Sequence, residues 1–485
     1  MSAKRDLLIL GGGRFVTAGL GLATVRAVTT YLTPAEYGQF AILVVIQSFC
    51  GLFLINPLGM YLNRHTHEWW DDGTLLSRLK SYKWYIFSVS VIGCAVSIGM
   101  SKTNLLPQII ATGITVIVMV NAITWNSTWV PLLNMVGLRS QSVRWALVSS
   151  VFVLIFPISI CLYLPTGLGW FVGQALGYSL GAYLARRSFL RILSVRSTES
   201  KDVDFDWKDV SAYCVPLALG TGFMWMQQSG YRLIVEHYWG LSALGYLSVG
   251  LMLAGQIWSL VESLAQQFLY PLFYKRIANS DEPLKGEAFS DLLNVLVPIY
   301  VILAGAVFLA GPYLLKVLVS SHYAGAGSFF RFGVGIEFCR VVANLLSNAA
   351  HVTKRTQTIV LPYAVGAIVS SILLLFTGAL QKDIFFAAIC LLIAATFVLI
   401  VMWVIMSRQI IVHIEQKMWG ASFFLTCIFL ISAFFLSVPG SWIEVFFVLI
   451  SIAVISCLAL YFFLKANRSL QRLIFIDLKN GVAQE

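Results

Sequence analysis

The sequence predicts an all-α polytopic membrane protein with about fourteen transmembrane helices, and three observations lead to this class. Of its 485 residues, 59% are hydrophobic and only 11% are charged, whereas a soluble domain is about 25% charged. The mean hydropathy is +0.83. The apolar runs reach the roughly 20 residues that a spanning helix needs, and they lack the alternation of barrel strands. A soluble globular class is therefore excluded.

Fourteen apolar runs are long enough to cross the bilayer. The first of them is interrupted by three glycines and by Arg14, which lower its hydropathy. The predicted spans lie near residues 7–32, 39–62, 84–101, 107–133, 143–164, 168–185, 212–237, 244–270, 292–318, 326–350, 357–379, 384–406, 420–438 and 442–464.

The distribution of positive charge predicts the orientation of these spans. The net charge is +11, and with the N-terminus inside, 25 of the 33 Lys and Arg residues fall in cytoplasmic segments. Only Lys102, Lys316 and Lys382 fall on the opposite side. Short loops rich in Lys and Arg stay in the cytoplasm, so both termini are predicted to be cytoplasmic. Because topology accounts for the basic surplus, nucleic acid is excluded as a partner, whereas anionic membrane lipids are expected to contact these cations.

The chain is predicted to contain two six-helix lobes. The N-lobe is 1–190, a polar cytoplasmic linker is 191–211, and the C-lobe is 212–407. Two additional spans occupy 408–464, and an amphipathic cytoplasmic tail occupies 465–485, with its apolar residues on one helical face.

The two lobes show a weak internal repeat. The segment "YLTPAEYGQFAIL" follows the first span, and "YWGLSALGYLSVG" follows the seventh. Aligning Gly38 with Gly245 gives an offset of 207 residues and places Arg26 one position from Arg232. Coincidence between two apolar segments is the alternative. Duplicated bundles are common in transporters, with the substrate site between the repeats.

Arginines inside the spans are the first candidate site residues. An Arg at mid-bilayer costs about 2.5–3.5 kcal/mol, so it faces a polar cavity or extends to the interface. Arg26 and Arg232 lie about a turn and a half from the outer face, and Arg14 lies near the glycines of the first span. An excess of Arg over Glu within the spans predicts a cationic cavity and an anionic substrate. Arg also binds phosphate and carboxylate well.

Carboxylates and amides inside the spans complete the candidate set. Glu337 and Arg340 are three residues apart and Arg232 and Glu236 four apart, so each pair shares a helix face. Mutual neutralisation without a ligand is the alternative for both pairs. Glu262 is expected either to be protonated, which would suit a proton-coupled step, or to pair with an Arg from another span. Coupling of transport to H⁺ or to Na⁺ stays open.

Two polar stripes accompany these charges, and they contain Asn121 in the fourth span and Gln256 in the eighth. Hydrogen bonding between helices is the alternative explanation for each stripe.

The chain resembles the Wzx-type lipid-linked oligosaccharide flippases, the polysaccharide branch of the multidrug/oligosaccharidyl-lipid/polysaccharide (MOP) exporter superfamily. The resemblance rests on "YLTPAEYGQFAIL" at 31–43, on the fourteen spans and on the duplicated six-helix plan. It implies two lobes facing a central cationic cavity. It also implies transport of an undecaprenyl-pyrophosphate-linked oligosaccharide across the bacterial inner membrane, for lipopolysaccharide, O-antigen or exopolysaccharide synthesis. Glycan polymerases and glycosyltransferases are the protein partners implied. In the family, cavity Arg residues engage the substrate, and Arg26 and Arg232 occupy matching positions.

Two other functions stay open. An ion-coupled multidrug or small-molecule exporter of the same fold would require an acidic, apolar pocket, which the Arg excess disfavours. A membrane glycan polymerase or ligase would require a long outer loop with catalytic Arg or His, and the predicted outer loops are short. We therefore expect a transporter with no catalytic residues and no metal or organic cofactor.

The resemblance generates a prediction about Arg26 and Arg232. We expect Arg26→Ala or Arg232→Ala to abolish surface polysaccharide in a complementation assay, because each removes a cation that the anionic lipid-linked substrate requires. Membrane fractionation measures insertion of the variants. Normal polymer from both inserted variants would contradict the assignment.

Overall fold

The structure, a computed structural model, describes residues 3–100, 105–193, 206–278, 282–353, 355–436 and 441–473, and these ranges contain no β-strand. The first eight helices are α1 (Ala3–Tyr31), α2 (Pro34–Ser48), α3 (Asn56–Asp71), α4 (Leu75–Gly99), α5 (Leu106–Met135), α6 (Arg139–Cys161), α7 (Gly167–Leu193) and α8 (Trp207–Trp225). The other eight are α9 (Tyr231–Phe268), α10 (Tyr270–Ala278), α11 (Glu282–Leu318), α12 (Ala326–Val352), α13 (Val360–Ala379), α14 (Ile384–Ser407), α15 (Gln416–Phe435) and α16 (Trp442–Ala466).

Ten helical stretches of the described chain are long and apolar enough to cross a membrane. One of them, Trp207–Phe268, is 62 residues long and contains two of the predicted spans. The remaining three predicted spans correspond to α1, α7 and α12, in which glycines or charged residues lower the hydropathy. The predicted all-α class is confirmed, and the protein is a multi-pass membrane protein.

The helices group into two compact units. Unit 1 contains Met1–Ser248 and Leu374–Gln381, and unit 2 contains Val249–Leu373 and Lys382–Glu485. The division into lobes at 1–190 and 212–407 stays a prediction, and so does the linker between them. Residues 194–205 of that linker and residues 474–485 of the predicted tail lie outside the described part of the chain.

The turn between α1 and α2 in unit 1 explains why the motif at 31–43 has its particular residues. Thr33 is the N-cap of α2, and Pro34 occupies the first turn, where a missing N–H is tolerated. The carboxylate of Glu36 accepts a 2.7 Å hydrogen bond from the backbone N–H of Gly167, at the start of α7. Buried Phe40 packs edge-on against Phe171 of α7, with ring centroids 6.3 Å apart. The turn is thus fixed to the start of α7.

Two glycines of unit 1 make reciprocal backbone contacts. A Cβ at Gly38 would collide with the carbonyl oxygen of Leu241, and a Cβ at Gly245 would collide with the carbonyl oxygen of Pro34. The 207-residue offset that aligns Gly38 with Gly245 also aligns Pro34 with Leu241, so each contact is the counterpart of the other. This reciprocity is the geometry expected of two repeats related by a pseudo-two-fold axis, and it supports the repeat on grounds independent of composition.

A helix break completes the second copy of this turn. Gly240 has φ of 80° and ψ of 175°, which interrupts the helical backbone of α9. A residue with a side chain rarely adopts that conformation. The break lets the chain reverse before Leu241, as it does before Pro34 in the first copy.

In unit 2, a buried polar network holds the last two helices against α11. Asp291 is 3% exposed and forms ion pairs with Arg276 at 2.7 Å and with Arg472 at 2.6 Å. The side chain of Asn294 accepts hydrogen bonds from the backbone N–H of Glu415 and from the indole N–H of Trp419, each at 3.0 Å. Asp291 and Asn294 are about one helical turn apart on α11, and together they fix the positions of α15 and of the segment after α16.

The reciprocal contacts predict a specific sensitivity to a single methyl group. We expect Gly38→Ala and Gly245→Ala each to destabilise the protein by about 1–3 kcal/mol, the usual cost of overpacking, since the colliding atom is backbone and cannot rotate away. Thermal unfolding of the purified protein in detergent measures this as a lower Tm.

Gly19→Ala is the matched control, because Gly19 also lies within a helix of unit 1 and a Cβ added there would have no atom within 4 Å. It should leave Tm unchanged or raise it slightly. Equal Tm values for all three variants would contradict the close approach.

Candidate functional site

The predicted site residues of unit 1 begin with Arg26, on α1. Its neighbours Val25 and Val28 are buried, whereas the Arg26 side chain is exposed on another face of the helix. The backbone carbonyl of Arg26 accepts a 2.7 Å hydrogen bond from the hydroxyl of Thr30. The guanidinium is thus carried outward from the packed face of α1. The Arg14 side chain lies outside the described residues, so its predicted role stays a prediction.

Arg232, at the start of α9, is only partly buried, but its Nε is fully buried. This Nε has no hydrogen-bond partner among the described residues, so the carboxylate of Glu236 does not accept from it. The guanidinium carbon lies 5.2 Å from the centre of the Tyr231 ring. A buried donor without an acceptor costs about 1–3 kcal/mol, and more when the donor is charged. Such a donor is suited to an anionic ligand.

Two π-helical segments position this region of unit 1. They are Phe49–Ile55, between α2 and α3, and Met226–Gly230, which ends directly before Tyr231. The indole N–H of Trp225 donates to the carbonyl of Val45 and to the hydroxyl of Ser48, both at 3.2 Å. The wider turns of π-helices occur frequently at functional sites because they redirect side chains. Here they set the orientation of the helix end that carries Arg232.

A polar pocket of about 360 Å³ lies beside the first π-helical segment. It contains amides and hydroxyls, and its described lining includes no charged residue. The polar lining residues are Gln47, Ser48, Asn56, Asn63, Tyr82, Thr124, Ser127 and Thr128. Neutral groups that both donate and accept hydrogen bonds are suited to sugar hydroxyls rather than to an ion.

Sequence reasoning missed the contribution of the second span to this pocket. Gln47, Gly51, Gly59 and Asn63 all line it, and polar or small residues at intervals of four were the available signal. Residues four apart on an ideal α-helix do not lie directly above one another, so a series of them gradually turns away from one face. The π-helical turns between 49 and 55 reduce this rotation and keep these residues on the side of the pocket. Asn121 does not line this pocket. Its amide donates to the Ser90 hydroxyl at 3.0 Å.

The predicted residues of unit 2 form a charged cluster. Arg340 on α12 donates from Nε to Glu337 at 2.6 Å and from Nη1 to Glu262 at 3.0 Å. Glu262 lies on α9, so the structure has the second of the two arrangements expected for it, pairing with an Arg from another helix. The Glu337–Arg340 pair is present with the predicted three-residue spacing. Two carboxylates around one guanidinium give a formal charge of −1 when both are ionised.

Hydrogen bonds extend this cluster to α13. The amide of Asn344 donates to the other oxygen of Glu262 at 2.9 Å, and its oxygen accepts from the hydroxyl of Tyr363 at 3.0 Å. The side chains of the triad are 15–22% exposed, which leaves limited access for water or a small ion. Arg340 is therefore committed to carboxylates, and anion binding by Arg26 and Arg232 stays a prediction. Gln256 is exposed on α9, one residue after Gly255, which faces Glu337.

Known proteins resemble this chain in structure rather than in sequence. No protein-family model matches the chain, and no curated protein sequence matches it. Among solved structures, a lipid II flippase MurJ in an inward closed conformation matches with a TM-score of 0.70 at 11% identity, covering 96% of this chain and 99% of that one. The protein shares the fold of this flippase structure.

A second structure agrees with this assignment of the fold. It is a MOP superfamily transporter from Pyrococcus furiosus, described with a binding pocket of reverse polarity. It matches with a TM-score of 0.53 at 12% identity, covering 84% of this chain and 96% of that chain. Because both identities are low, a shared fold is what these comparisons establish.

The charged cluster predicts a coupling between Arg340 and Glu262. We expect Arg340→Gln to destabilise the protein by about 3 kcal/mol, because two adjacent carboxylates lose their shared counter-ion. Adding Glu262→Gln should restore about 1–3 kcal/mol, the range seen for coupled polar pairs. A double-mutant cycle on the free energy of unfolding in detergent measures both values. Additive effects would contradict a direct interaction.

Proposed function

We propose that this protein translocates an undecaprenyl-pyrophosphate-linked oligosaccharide repeat unit across the bacterial inner membrane. Transport would proceed by alternating access through a cationic central cavity, in which Arg26 and Arg232 bind the pyrophosphate. Glycosyltransferases would supply the substrate, and a glycan polymerase would consume it. The MOP fold and the similarity to a lipid II flippase support a lipid-linked cargo.

The buried, unpartnered Nε of Arg232 is the observation that carries the proposal. Charged side chains within transmembrane segments almost always pair or face a water-filled cavity, and they mark substrate and ion pathways. Pyrophosphate presents several acceptor oxygens, and charge-assisted hydrogen bonds to such oxygens are short and strong. An anionic substrate that enters from the membrane would supply the acceptor that the described residues do not.

The pocket beside the first π-helical segment, whose described lining is neutral, supports the saccharide part of the cargo; we call it the neutral pocket. Its amides and hydroxyls can exchange hydrogen bonds with sugar hydroxyls, and its neutral described lining suits an uncharged sugar. Both the pocket and Arg232 belong to unit 1. The sugar head cannot cross hydrocarbon because its hydroxyls would lose their hydrogen bonds, whereas the polyprenyl tail is stable in lipid. A polar passage for the head alone meets both requirements.

The Glu262–Glu337–Arg340 cluster is the candidate for ion coupling. Its formal charge of −1 is neutralised by one proton or one Na⁺, and its partners lie on α9 and α12. Binding of the cation would release one carboxylate from Arg340 and so change how these two helices are held together. A conformational equilibrium responds to such a ligand only through its differential affinity for the two states.

The same acidic cluster favours a second candidate, an ion-coupled exporter of small molecules with the same fold. That function requires a cationic or apolar substrate rather than an anionic lipid. Arg232 would then have no assigned ligand, which is why we place this function second.

Transport of a labelled cargo in proteoliposomes tests the proposal. The cargo is a polyprenyl-pyrophosphate oligosaccharide with a nitrobenzoxadiazole group on the sugar, and dithionite bleaches the label in the outer leaflet only. We expect the protein to accelerate leaflet exchange above that of empty vesicles. Arg232→Gln should slow exchange about 10- to 100-fold, because a hydrogen bond to a charged group contributes about 1.5–3 kcal/mol.

Arg331→Gln is the matched control. Arg331 also lies in a transmembrane helix, but its side chain is exposed and its guanidinium carbon is 5.4 Å from the ring centre of Phe308. Exchange by this variant should match the unsubstituted protein. The flippase function would be overturned in favour of the exporter by two results together. Cargo exchange would equal that of empty vesicles, and the protein would take up organic cations in response to a pH or Na⁺ gradient.

A further inference from the structure

Unit 1 contains a second, larger cavity that the transport function does not use. It has a volume of about 690 Å³ and is bounded by α4, α5 and α7. Helix α5 contributes to both cavities through different residues. The larger cavity is lined by Asn121, Trp125 and Trp129, and the neutral pocket is lined by Thr124, Ser127 and Thr128. The two cavities therefore lie against different faces of α5.

Positive charge is concentrated at one end of this cavity. Lys80 and Lys83 on α4 and Arg186 on α7 all line it, and all three side chains are exposed. Each belongs to a segment that the distribution of Lys and Arg places on the cytoplasmic side. The described lining of the cavity includes no acidic residue, so the local field at this end favours an anion.

The remainder of the cavity is apolar and aromatic. Phe87 and Val118 line it and are 47% and 40% exposed. The rings of Trp125 and Trp129 stack with centroids 5.6 Å apart and an interplanar angle of 19°. Exposed apolar side chains in a transmembrane helix are suited to contact with acyl chains, and Trp favours the level of the lipid headgroups.

The length of the cavity corresponds to one leaflet. From Trp129 to Val118 the chain advances eleven residues along α5, which is about 16 Å at 1.5 Å per residue. Half of the hydrocarbon core is about 15 Å thick. The cationic end and the apolar end are therefore separated by about the distance between a phospholipid headgroup and the end of its acyl chain.

We propose that this cavity binds an anionic glycerophospholipid of the cytoplasmic leaflet. The phosphate lies among Lys80, Lys83 and Arg186, and an acyl chain runs along Trp125 and Phe87 toward Val118. Basic pockets between transmembrane helices on the cytoplasmic side bind such headgroups. The site is independent of the proposed cargo, because its lining includes neither Arg26 nor Arg232.

Lipid titration of the full-length protein in detergent, followed by native mass spectrometry, tests this site without any transport step. The probes are phosphatidylglycerol and phosphatidylcholine with identical acyl chains. We expect phosphatidylglycerol to bind more tightly than phosphatidylcholine. The triple variant Lys80→Gln, Lys83→Gln, Arg186→Gln should bind phosphatidylglycerol about 100-fold more weakly, given the contribution of each interfacial cation.

A charge-matched control distinguishes this site from general surface attraction. The control triple variant removes the same charge from exposed positions that do not line the cavity. Its substitutions are Arg139→Gln, Arg144→Gln and Arg187→Gln. This variant should retain the affinity for phosphatidylglycerol. Equal losses in the two triple variants, or equal binding of the two lipids, would overturn the proposal.

A second pair of variants tests the acyl part of the site without a change in charge. Val118→Trp fills the apolar end, and Val91→Trp adds the same bulk at an exposed position of α4 outside the cavity. We expect only Val118→Trp to weaken phosphatidylglycerol binding, with Tm confirming that both variants fold. If polyprenyl phosphate binds more tightly than phosphatidylglycerol and is displaced by Val118→Trp, the occupant is the cargo tail and the phospholipid assignment is wrong.

Discussion

Water is absent from the hydrocarbon core, so every polar group that a helix carries there must be satisfied by protein or by ligand. Two arginines, Arg340 in unit 2 and Arg232 in unit 1, meet this constraint differently. In unit 2, Arg340 is surrounded by Glu262 and Glu337, and Asn344 and Tyr363 complete the hydrogen bonding. In unit 1, the Nε of Arg232 is buried and has no acceptor among the described residues. The functional proposal depends on this difference between a guanidinium paired with two carboxylates and one whose buried Nε has no acceptor among the described residues.

Close backbone contacts give the outer turns of unit 1 their precision. Gly38 and Gly245 each leave room for a carbonyl oxygen of the other repeat, and Glu36 joins the first turn to the start of α7. Without a hydrophobic driving force between helices in lipid, small residues that allow such close approach hold transmembrane helices together. These contacts give the motif at 31–43 a role in packing.

Much of the candidate site was predictable residue by residue, and the exceptions have a common cause. The pairing of Glu337 with Arg340 followed from a three-residue spacing on one helix. The partner of Glu262 lies 78 residues away on another helix, and no local pattern identifies it. Asn121 and Thr124 are one turn apart on the same helix, yet they line different cavities, because neighbouring helices divide the surface of α5 between them.

The sequence by itself determined the membrane class, the helical spans and the bias of positive charge, and it indicated an offset repeat. These properties depend on local composition and on the length needed to cross a bilayer. The tertiary structure decided which intramembrane charges neutralise each other, which donor stays unpartnered, and where the polar and the cationic cavities lie. Those outcomes depend on contacts between residues far apart in the chain, and the side-chain pattern of a single helix does not specify its neighbours.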